Sequence, residues 1–553
     1  MNYRYLLLAM VVFSIRADDI AQGVQDATAT VNVSQLPVAN TSNFPQVVIP
    51  FVPVPAGLPV TRNVEEVAVD DSLTYLQACA GEACLKACCC QSNSNSQVIN
   101  PVQPVVAIPG VNDSGVVIPP DTQGAVGPNH LMITLNDTVT IQNKSGGVIR
   151  TVTLKSFWAS LGNPTPFDPR VTYDPYNNRW IFIAAANAQS ASSSLLVGVS
   201  QTSDPTGVWN LYRIDVDAAN LVWIDNPTVG FNKNWITVQG NMFNVSNDAF
   251  NRSYIYAFNK ARLYAHLSAT FTRFSSSTIG GSQVPAQTFD PLLNTQYLIQ
   301  NWNGNSGGKG YLRLYQITGA VGSEVFAAVA FPTSPSPWAS SAPLINKGFA
   351  PQKGTTLRID NNDARIQDVV YRNGSLWTTQ TIFLPATATP THSGAQWWQI
   401  NTAGTVLQRG RIEDPLATAT NGRFFYAFPS IAVNKQNDAL VGYSRFSSGT
   451  FASAAFSYRL ATDAANTMRA STVFQPGLAI YTKDFGSGDI RWGDYSNSVV
   501  DPINGRDFWT IQEYANSLSG STSRWGVEWA KLPIAARGFG SDLNGDSDDE
   551  IVN

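Results

Sequence analysis

Residues 491–511 of the chain read RWGDYSNSVVDPINGRDFWTI, and this stretch contains the unit that decides the fold. A short apolar run ends in a turn built on Asp501-Pro502 and Asn504-Gly505, and an aromatic run follows the turn. Apolar, β-prone runs on either side of an Asp-Pro or Asn-Gly turn are typical of a β-hairpin. The stretch therefore predicts two antiparallel strands.

The same unit recurs through the rest of the chain. Its other copies are QGAVGPNHLMITL from Gln123, RVTYDPYNNRWIFI from Arg170, TVGFNKNWITV from Thr228, QTFDPLLNTQYLIQ from Gln287, DVVYRNGSLWTTQ from Asp368 and SIAVNKQNDALVGY from Ser430. Each copy is followed by a further strand-like run, and the copies lie roughly 45 to 80 residues apart between residues 118 and 534. A repeat of this length with three or four strands predicts a β-propeller.

We therefore expect an all-β fold, a β-propeller over residues 118–536, with seven blades favoured and six or eight as alternatives. A β-helix has a much shorter repeat than the one observed. A pair of β-sandwiches does not explain why one strand–turn–strand unit recurs throughout the region.

Polar residues that precede the first strands of different blades are expected to converge at one end of the central channel. The candidate ligand-binding residues chosen on this basis are Asp121, Asp168, Arg170, Arg365, Asp368 and Arg491. Paired Arg and Asp side chains bind carboxylated or polyhydroxylated ligands, because a guanidinium forks onto two oxygens. The same residues also fit a salt-bridged plug that holds the blades in register, and the sequence leaves both interpretations open.

The composition excludes some classes of function. Charged residues make up 13% of the chain and aromatic residues 11%, and the formal net charge is −4. This balance gives no electrostatic argument for nucleic-acid binding, which requires clustered Lys and Arg. Three scattered histidines, His130, His266 and His392, argue against a histidine-based metal site or a Ser-His-Asp triad.

The N-terminus has the pattern of a secretory signal peptide over residues 1–17. Arg4 supplies positive charge, an apolar stretch of suitable length follows, and Ala17 ends the segment. A spanning helix needs about 20 apolar residues, more than this or any later segment provides. We expect a secreted or cell-surface protein without a membrane span after signal removal. Residues 18–117, rich in Pro, Val, Ser and Asn, are expected to form an extended stalk.

All five cysteines lie in the predicted stalk, at Cys79, Cys84, Cys88, Cys89 and Cys90. In an exported protein, an odd and crowded set of cysteines suggests one or two local disulfides and a leftover thiol that links two chains. Thiolate metal binding and acylation of the triplet are the alternatives, although the spacing is not a paired C-x-x-C ligand pattern. A disulfide-linked oligomer is therefore one expectation.

Exposed aromatic residues in neutral polar loops indicate a carbohydrate ligand, because sugars stack on aromatic rings and hydrogen-bond to amides and hydroxyls. Trp302 in NWNGNSGG is the favoured platform, with Trp338 and the pair Trp397/Trp398 as further candidates. One member of the pair is expected in the core, because strand polarity alternates.

The C-terminal residues 537–553 carry a possible calcium loop. Oxygen-bearing residues alternate at Asp542, Asn544, Asp546, Asp548 and Glu550, with Gly545 at a turn. Ca²⁺ prefers six to eight hard oxygen ligands, which such spacing supplies. The stretch is similar to the calcium loop of FG-GAP/VCBS repeats and lacks the Glu of an EF-hand at the twelfth position. A solvated acidic tail is the alternative interpretation.

The stretches PPDTQGAVGPNHLMITLN, FDPRVTYDPYNNRWIF, ARIQDVVYRNGSLWTTQT, FPSIAVNKQNDALVGYS and RWGDYSNSVVDPINGRDFWTIQEY resemble secreted, mostly bacterial propeller proteins loosely grouped with sialidases. This resemblance covers residues 118–535 and implies an exported propeller. The chain lacks the repeated Ser-x-Asp-x-Gly-x-x-Trp turns of the sialidases. The resemblance carries no catalytic set over to this chain. A sialidase uses a Tyr nucleophile with a Glu partner and an Asp acid/base, so if the chain were such an enzyme, the candidates are Tyr495, Glu513 and Asp494.

The leading functional prediction is a secreted or cell-surface binding or adhesion protein with the propeller as its recognition head. Its expected partner is a carbohydrate or an extracellular protein. One alternative is an extracellular glycoside hydrolase or lyase with Asp and Arg residues at the propeller axis. A second alternative is a purely structural matrix protein with a plugged channel.

Overall fold

A computed structural model describes residues 19–40, 46–54 and 105–536. The predicted signal peptide, the cysteine cluster at 79–90 and the calcium loop at 542–550 lie outside these residues. Within the described residues, no helix is long and apolar enough to cross a membrane.

Five short strands precede the first repeat: β1 (Asp19–Val24), β2 (Ala27–Asn32), β3 (Val47–Val48), β4 (Val106–Asn112) and β5 (Val117–Ile118), with a 3-10 turn at Val33–Gln35. β1 pairs with the outermost strand of one repeat, β2 with that of another, and β4 with the last strand of the domain. These parts of the predicted stalk therefore belong to the propeller sheets. Their free backbone N–H and C=O groups complete sheet edges that would otherwise be unpaired.

The repeats follow in chain order. The first sheet contains β6 (Gln123–Val126), β7 (His130–Thr134), β8 (Thr138–Asn143) and β9 (Val148–Thr153), followed by α1 (Leu154–Trp158) and a 3-10 turn at Ala159–Leu161. The second contains β10 (Pro166–Asp174), β11 (Arg179–Ala186), β12 (Ser194–Ser200) and β13 (Val208–Asp215). The next unit contains β14 (Val222–Phe231), β15 (Trp235–Asn244), β16 (Phe250–Asn259), α2 (Lys260–Tyr264) and β17 (Thr270–Ser276).

The second half of the domain continues the pattern. It contains β18 (Val284–Pro285), β19 (Gln287–Thr288), β20 (Gln296–Ser306), β21 (Lys309–Ala320), β22 (Ser323–Ala330) and β23 (Thr333–Ser334). Next come β24 (Ile366–Arg372), β25 (Ser375–Leu384), β26 (His392–Asn401) and β27 (Val406–Ile412). The last elements are β28 (Phe425–Val433), β29 (Ala439–Ser447), β30 (Thr450–Arg459), β31 (Thr472–Gln475), β32 (Asn497–Val500), β33 (Phe508–Ser519) and β34 (Thr522–Leu532).

The strands confirm the all-β propeller, but in the described residues five blades form separate sheets, not seven. These five are β6–β9, β10–β13 with β2, β18 with β20–β23, β28–β31, and β32–β34 with β4. β3 and β5 form a small two-stranded sheet, and the remaining strands form one ten-stranded sheet, in which β14–β17 with β1 and β24–β27 are joined by the short strand β19. β19 pairs in parallel with β14 and with β24. Strand pairing at the axis therefore fuses two repeats that the sequence pattern predicts to be separate.

The core lies between neighbouring sheets, whose innermost strands contact one another around the axis. Thirteen of the fourteen tryptophans have less than 2% of their surface exposed, and they include Trp338, Trp397 and Trp398. These three rings are therefore core residues: Trp338 is not an exposed platform, and both members of the Trp397/Trp398 pair are buried where the sequence predicted one. We call the end of the channel where the innermost strands begin the upper face, and the end where they turn back the lower face.

Candidate functional site

Three innermost strands share the same backbone conformation at the upper face, a positive φ before a proline followed by a β-bulge. Asp168, Asn226 and Phe428 each precede a proline and have positive φ values of 50°, 45° and 54°. A bulge in the pairing follows at each position. Asp and Asn tolerate this left-handed conformation better than most residues, whereas Phe428 needs the surrounding packing to hold it.

Side chains of the preceding repeat bind the backbone N–H groups of these residues. Asn136 Oδ1 accepts from the Asp168 N–H at 2.9 Å, and Thr381 Oγ1 accepts from the Phe428 N–H at 3.1 Å. Asp168 Oδ2 accepts in turn from the Asn226 N–H at 2.9 Å. The upper face is therefore held together by hydrogen bonds that run from one repeat to the next.

The predicted axial residues Asp121 and Arg491 join this network. Asp121 accepts from the Asp494 N–H at 2.9 Å and from Asn136 Nδ2 at 2.7 Å. The Arg491 guanidinium pairs with the Asp494 carboxylate, which also accepts from Asn362 Nδ2 at 2.7 Å. Residues 121 and 491 are far apart in the sequence, so the propeller brings them together as the strand pattern predicts.

Burial dominates the electrostatics of the carboxyl groups at this end. It raises the pKa of Asp168 and of Asp225 to about 8, with further increases from neighbouring carboxylates. Burial and the charges of Asp494 and Asp168 also raise the pKa of Asp121 well above its usual range. A carboxyl group removed from water is easier to keep neutral than ionised. Several of these groups therefore hold protons at neutral pH.

Residues 46–54, which we call the cover segment, lie across the upper face. β3 pairs in parallel with β5, and Arg491 Nη1 donates to the Ile49 carbonyl at 3.4 Å. The Phe51 ring centre is 4.9 Å from the guanidinium carbons of both Arg365 and Arg491. Cation–π contacts of this kind shield the two arginines from solvent. The axial charges of the upper face are therefore buried beneath the chain's own N-terminal region.

The middle of the channel is filled by polar side chains. The Arg170 guanidinium carbon is 3.5 Å from the centre of the Tyr495 ring, and Arg170 Nη2 donates to Asn226 Oδ1 at 3.0 Å. Asp368 accepts from Gln287 Nε2 at 3.3 Å, and burial raises its pKa to about 7. A space of about 20 Å³ remains between Arg170 and Asp368, enough for a single water molecule. Arg170 and Asp368 thus act as part of the channel filling in this structure.

The three residues of the sialidase-type interpretation are all buried. Asp494, Tyr495 and Glu513 have exposed fractions of 4%, 2% and 4%. The Tyr495 hydroxyl donates to the Pro169 carbonyl at 2.9 Å, and burial raises its pKa well above the usual value. Burial likewise raises the pKa of Glu513, which favours its neutral form. A nucleophilic Tyr495 would have to break its bond to Pro169 and lose the overlying Arg170 contact.

Trp302 is also inside the protein. Only 6% of its surface is exposed, and the Arg313 guanidinium carbon lies 4.3 Å from the ring centre. Phe331 contacts the same ring edge-on at 5.7 Å. The polar neighbours of Trp302 in the sequence suggest an exposed loop, but a strand across the sheet supplies the residue that covers it. Trp302 is therefore not an exposed platform.

The lower face, in contrast, has a cavity of about 320 Å³ on the axis, which we call the lower cavity. Its walls come from β6, β10, β19, β24, β32 and the turns that follow them. The lining residues are Ala125, Val126, Thr172, Tyr173, Pro175, Tyr176, Gln287, Phe289, Arg372, Asn373, Lys435, Val499, Val500, Asp501, Pro502 and Gly505. Aromatic rings, amides and charged groups line this cavity, whereas the polar groups on the axis of the upper face are covered by residues 46–54.

Arg372 and Lys435 give the lower cavity a positive character. Arg372 lies 4.6 Å from the Phe289 ring centre, its Nε has no hydrogen-bond partner, and burial lowers its pKa to about 10. Asp501 is neutralised by Lys144, whose Nζ lies 2.9 Å from Oδ1. No carboxylate forms an ion pair with Arg372 among the residues that the structure describes. The cavity therefore presents an arginine and an exposed lysine without matching negative charge.

Tyr176 links the lower cavity to a neighbouring cavity of about 220 Å³, which we call the side cavity. Tyr176 lines both spaces and has 44% of its surface exposed. The side cavity adds Asn177, Asn232, Lys233, Lys260, Thr288, Asp290 and Pro291. The two polar cavities meet at this exposed aromatic ring and together form one recess on the lower face.

The residues of the lower face lie within the repeats that decide the fold. The sequence analysis chose candidates that precede the innermost strands, whereas the residues of the open recess lie in the turns that follow those strands. Tyr176, Arg372 and Lys435 stand in the turns YDPYNNRW, YRNGSL and VNKQND. Turns that follow the innermost strands all meet at one face, so the repeat alignment contained the signal. At Asn373-Gly374, φ values of 49° and 75° form the tight hairpin turn that the Asn-Gly pair predicts.

Among the described residues, no group of three or more His, Cys, Asp or Glu side chains is placed to hold a metal ion. The axial carboxyl groups of the upper face are engaged with backbone N–H groups and arginines instead. The predicted calcium residues Asp542, Asn544, Asp546, Asp548 and Glu550 lie outside the described part of the chain.

No protein-family model matches the chain, and no curated protein matches it. Among solved structures, it is similar to the phage phi92 endosialidase, with 9% identity over 80% of this chain and 71% of that chain and a TM-score of 0.36. Trypanosoma rangeli sialidase in complex with sialic acid has 11% identity over 74% of this chain and 59% of its own, with a TM-score of 0.31. Penicillium chrysogenum α-L-arabinanase complexed with arabinobiose has 10% identity over 66% and 93%, with a TM-score of 0.27. At these values the likeness concerns the fold, and the propeller assignment rests on the sheets themselves.

Proposed function

We propose that this protein is an extracellular carbohydrate-binding propeller whose ligand lies on the lower face. The observation that carries the proposal is Tyr176, an exposed aromatic side chain that lines two adjoining polar cavities. A pyranose ring presents an apolar C–H face that packs against an aromatic ring, while its hydroxyls bind amides. Asn177 and Asn373, one in each cavity, supply such amides beside Tyr176.

The charges of the lower cavity favour an acidic sugar. Arg372 is partly desolvated and has a free Nε–H, and Lys435 stands exposed at the same rim. A carboxylate on the ligand would restore the hydrogen bonds and the charge partner that Arg372 lacks, because a guanidinium binds a carboxylate bidentately. The length of the recess, which extends from the lower cavity past Tyr176 into the side cavity, suits a chain of sugars rather than one.

The test incubates the full-length protein with acidic and neutral polysaccharides and scores both retention and released products by mass spectrometry. We expect retention of a uronic-acid polymer without products, about tenfold weaker binding for Tyr176→Ala, and near-normal binding for Tyr176→Phe. Leu416→Ala is the matched control, because Leu416 is 64% exposed on the opposite face. Equal retention of wild type and Tyr176→Ala would overturn the lower-face proposal.

A glycoside hydrolase remains the second candidate, favoured by the raised pKa values of Asp168 and Asp225. A carboxyl group that stays protonated near neutral pH is what a general acid requires. Both carboxyls are buried, with 1% and 3% of their surface exposed. Release of oligosaccharide products in the same assay, lost in Asp225→Asn, would select the hydrolase and reject a pure binding role.

We also propose that the ten-stranded sheet comprises two blades, so that the propeller has sevenfold character. Both β14–β17 and β24–β27 are four-stranded antiparallel units with the same strand order as the separate blades. Only the two residues of β19 join them, through parallel pairs at the axis.

Three further proposals concern residues outside the described part of the chain. Residues 1–17 direct export, the cysteines at 79–90 form local or interchain disulfides, and residues 542–550 bind Ca²⁺ weakly. Gel migration with and without a reductant tests the interchain disulfide, and identical migration would reject it. A flat calorimetric titration with Ca²⁺, beside a responsive control protein, would reject the calcium loop.

A further inference from the structure

A second recess lies at the upper face, between the cover segment and the body of the propeller. This upper cavity has a volume of about 210 Å³. Pro53 and Val54 of the cover segment form one wall, and Asn301, Ser340 and Arg365 line the other. It opens at the opposite end of the axis from Tyr176, so it is independent of the site proposed above.

Arg365 lines the upper cavity, and one N–H group of its guanidinium makes no hydrogen bond. Only 5% of its side chain is exposed, and its Nε and Nη2 both donate to the Asp363 carboxylate at 2.8 Å. Its Nη1 is buried and has no hydrogen-bond partner. A buried donor without a partner is unfavourable, so the structure gains if a ligand accepts a hydrogen bond from it.

An unused acceptor lines the same cavity. Asn301 Oδ1 is buried and also lacks a hydrogen-bond partner. Ser340 and Ser341 add hydroxyl groups to the lining. A hydroxyl group both accepts and donates, and can therefore satisfy the free Nη1–H of Arg365 and the free Oδ1 of Asn301 together.

The charges around the upper cavity indicate a neutral ligand. Asp363 forms a bidentate ion pair with Arg365 and cancels its charge locally. Behind the arginine, Asp494 pairs with Arg491, and burial raises the pKa of Asp225, which favours its neutral form. An anionic ligand would thus meet a neutral or slightly negative site, in contrast to the lower cavity.

We propose that the upper cavity binds a small neutral polyol, of the size of a single sugar or inositol, held between Arg365, Asn301 and the cover segment. The cover segment takes part because Pro53 and Val54 form a wall and the Phe51 ring stands over Arg365. A bound polyol therefore fixes residues 46–54 more firmly against the propeller.

The test measures saturation-transfer NMR of the full-length protein with myo-inositol, D-glucose and D-galactose, and with D-glucuronate as the charged comparison. We expect saturable binding of at least one neutral probe, weakened about fivefold by Asn301→Ala. Arg365→Lys, which keeps the charge and removes Nη1, should act in the same direction. Leu416→Ala is the matched control and should leave this binding unchanged, because Leu416 is exposed and lies outside the lining of the upper cavity.

A second readout does not depend on the variants folding. Hydrogen exchange of wild-type residues 46–54 should slow when the neutral probe is present. The proposal is overturned if no neutral probe binds saturably, if the neutral probe leaves the exchange of residues 46–54 unchanged, or if D-glucuronate slows that exchange more than the neutral probes do. Loss of polysaccharide retention in Tyr176→Ala, measured separately, bears only on the lower face.

Discussion

The two ends of the propeller axis are built from the same repeats but differ in how their polar groups are used. At the upper face, Asp121 and Asp168 accept hydrogen bonds from neighbouring repeats, and the cover segment lies over them. At the lower face, Arg372 and Tyr176 line an open recess and have unused binding capacity. Apart from Arg365, whose Nη1 is free, the polar residues before the innermost strands join the sheets, whereas polar residues in the turns after those strands remain available to a ligand.

The largest expected effect compares two aromatic residues. Trp302→Ala should lower the free energy of unfolding by about 3 to 5 kcal/mol, because a buried indole is replaced by a cavity. Tyr176→Ala should change it by less than about 0.5 kcal/mol, because the ring is already partly in solvent. Urea denaturation of both variants measures the difference. Equal losses would mean that the lower face is as tightly packed as the interior.

Asp168→Ala should lower the free energy of unfolding by roughly 2 to 4 kcal/mol. It leaves the buried Asn226 N–H without an acceptor and places alanine at a positive φ. Asp168→Asn is the control, since an asparagine oxygen accepts the same bond and tolerates the same backbone conformation. Thermal unfolding of both proteins separates the two effects. If Asp168→Ala is as stable as wild type, the hydrogen bonds between repeats do not hold the upper face together.

The pH dependence of stability provides a third comparison. The pKa of Asp225 rises from an ordinary 3.8 to about 8 in the folded protein, so between these values the folded chain keeps a proton that the unfolded chain has lost. The contribution of Asp225 to the free energy of unfolding therefore falls as the pH increases from about 4 to 8, and it levels off above that. Asp225→Asn removes this contribution and should flatten the profile. Melting temperatures at pH 5 and pH 9 measure it, and an unchanged slope in the variant would assign the dependence to other groups.

The smallest effect concerns charge at the lower face. Lys435→Gln should weaken binding of an acidic polysaccharide by about two- to threefold, because an exposed charge contributes less than about 1 kcal/mol. Added salt should reduce the difference between variant and wild type, since it screens exposed charges. Binding isotherms at low and high ionic strength test this, and binding that improves in the variant would argue against an acidic ligand.

The strand–turn–strand units could be predicted from the sequence because each one carries its own turn signal. The copies that begin at Arg170, Asp368 and Ser430 coincide with strand pairs that turn where the Asp, Asn and Gly residues stand. Sequence also places Asp121 and Arg491 at one end of the axis, because first strands of a propeller are parallel neighbours. These inferences need only local patterns and the symmetry of the repeat.

What the sequence does not show depends on partners distant in the chain. Residues 19–24 form a strand only because the edge of β17 accepts them, and two residues of β19 fuse two repeats at the axis. The burial of Trp302 depends on Arg313 in the facing strand. The positive charge of the lower face is unpaired because no carboxylate among the described residues forms an ion pair with Arg372. No local sequence pattern encodes this.

The pairing of β4 with β34 has a consequence for how the chain reaches its folded state. Ile108 pairs with Trp529, so β4, which precedes the first repeat, completes its sheet only with almost the last part of the domain. Contacts between residues so distant in sequence carry a high entropic cost of closure and slow the search for the native arrangement. Until β34 emerges from the ribosome, β4 is an unpaired edge strand, open to pairing with another chain. The last sheet therefore cannot form until the residues of β34 have been synthesised, and until then the ring of sheets stays open at β4.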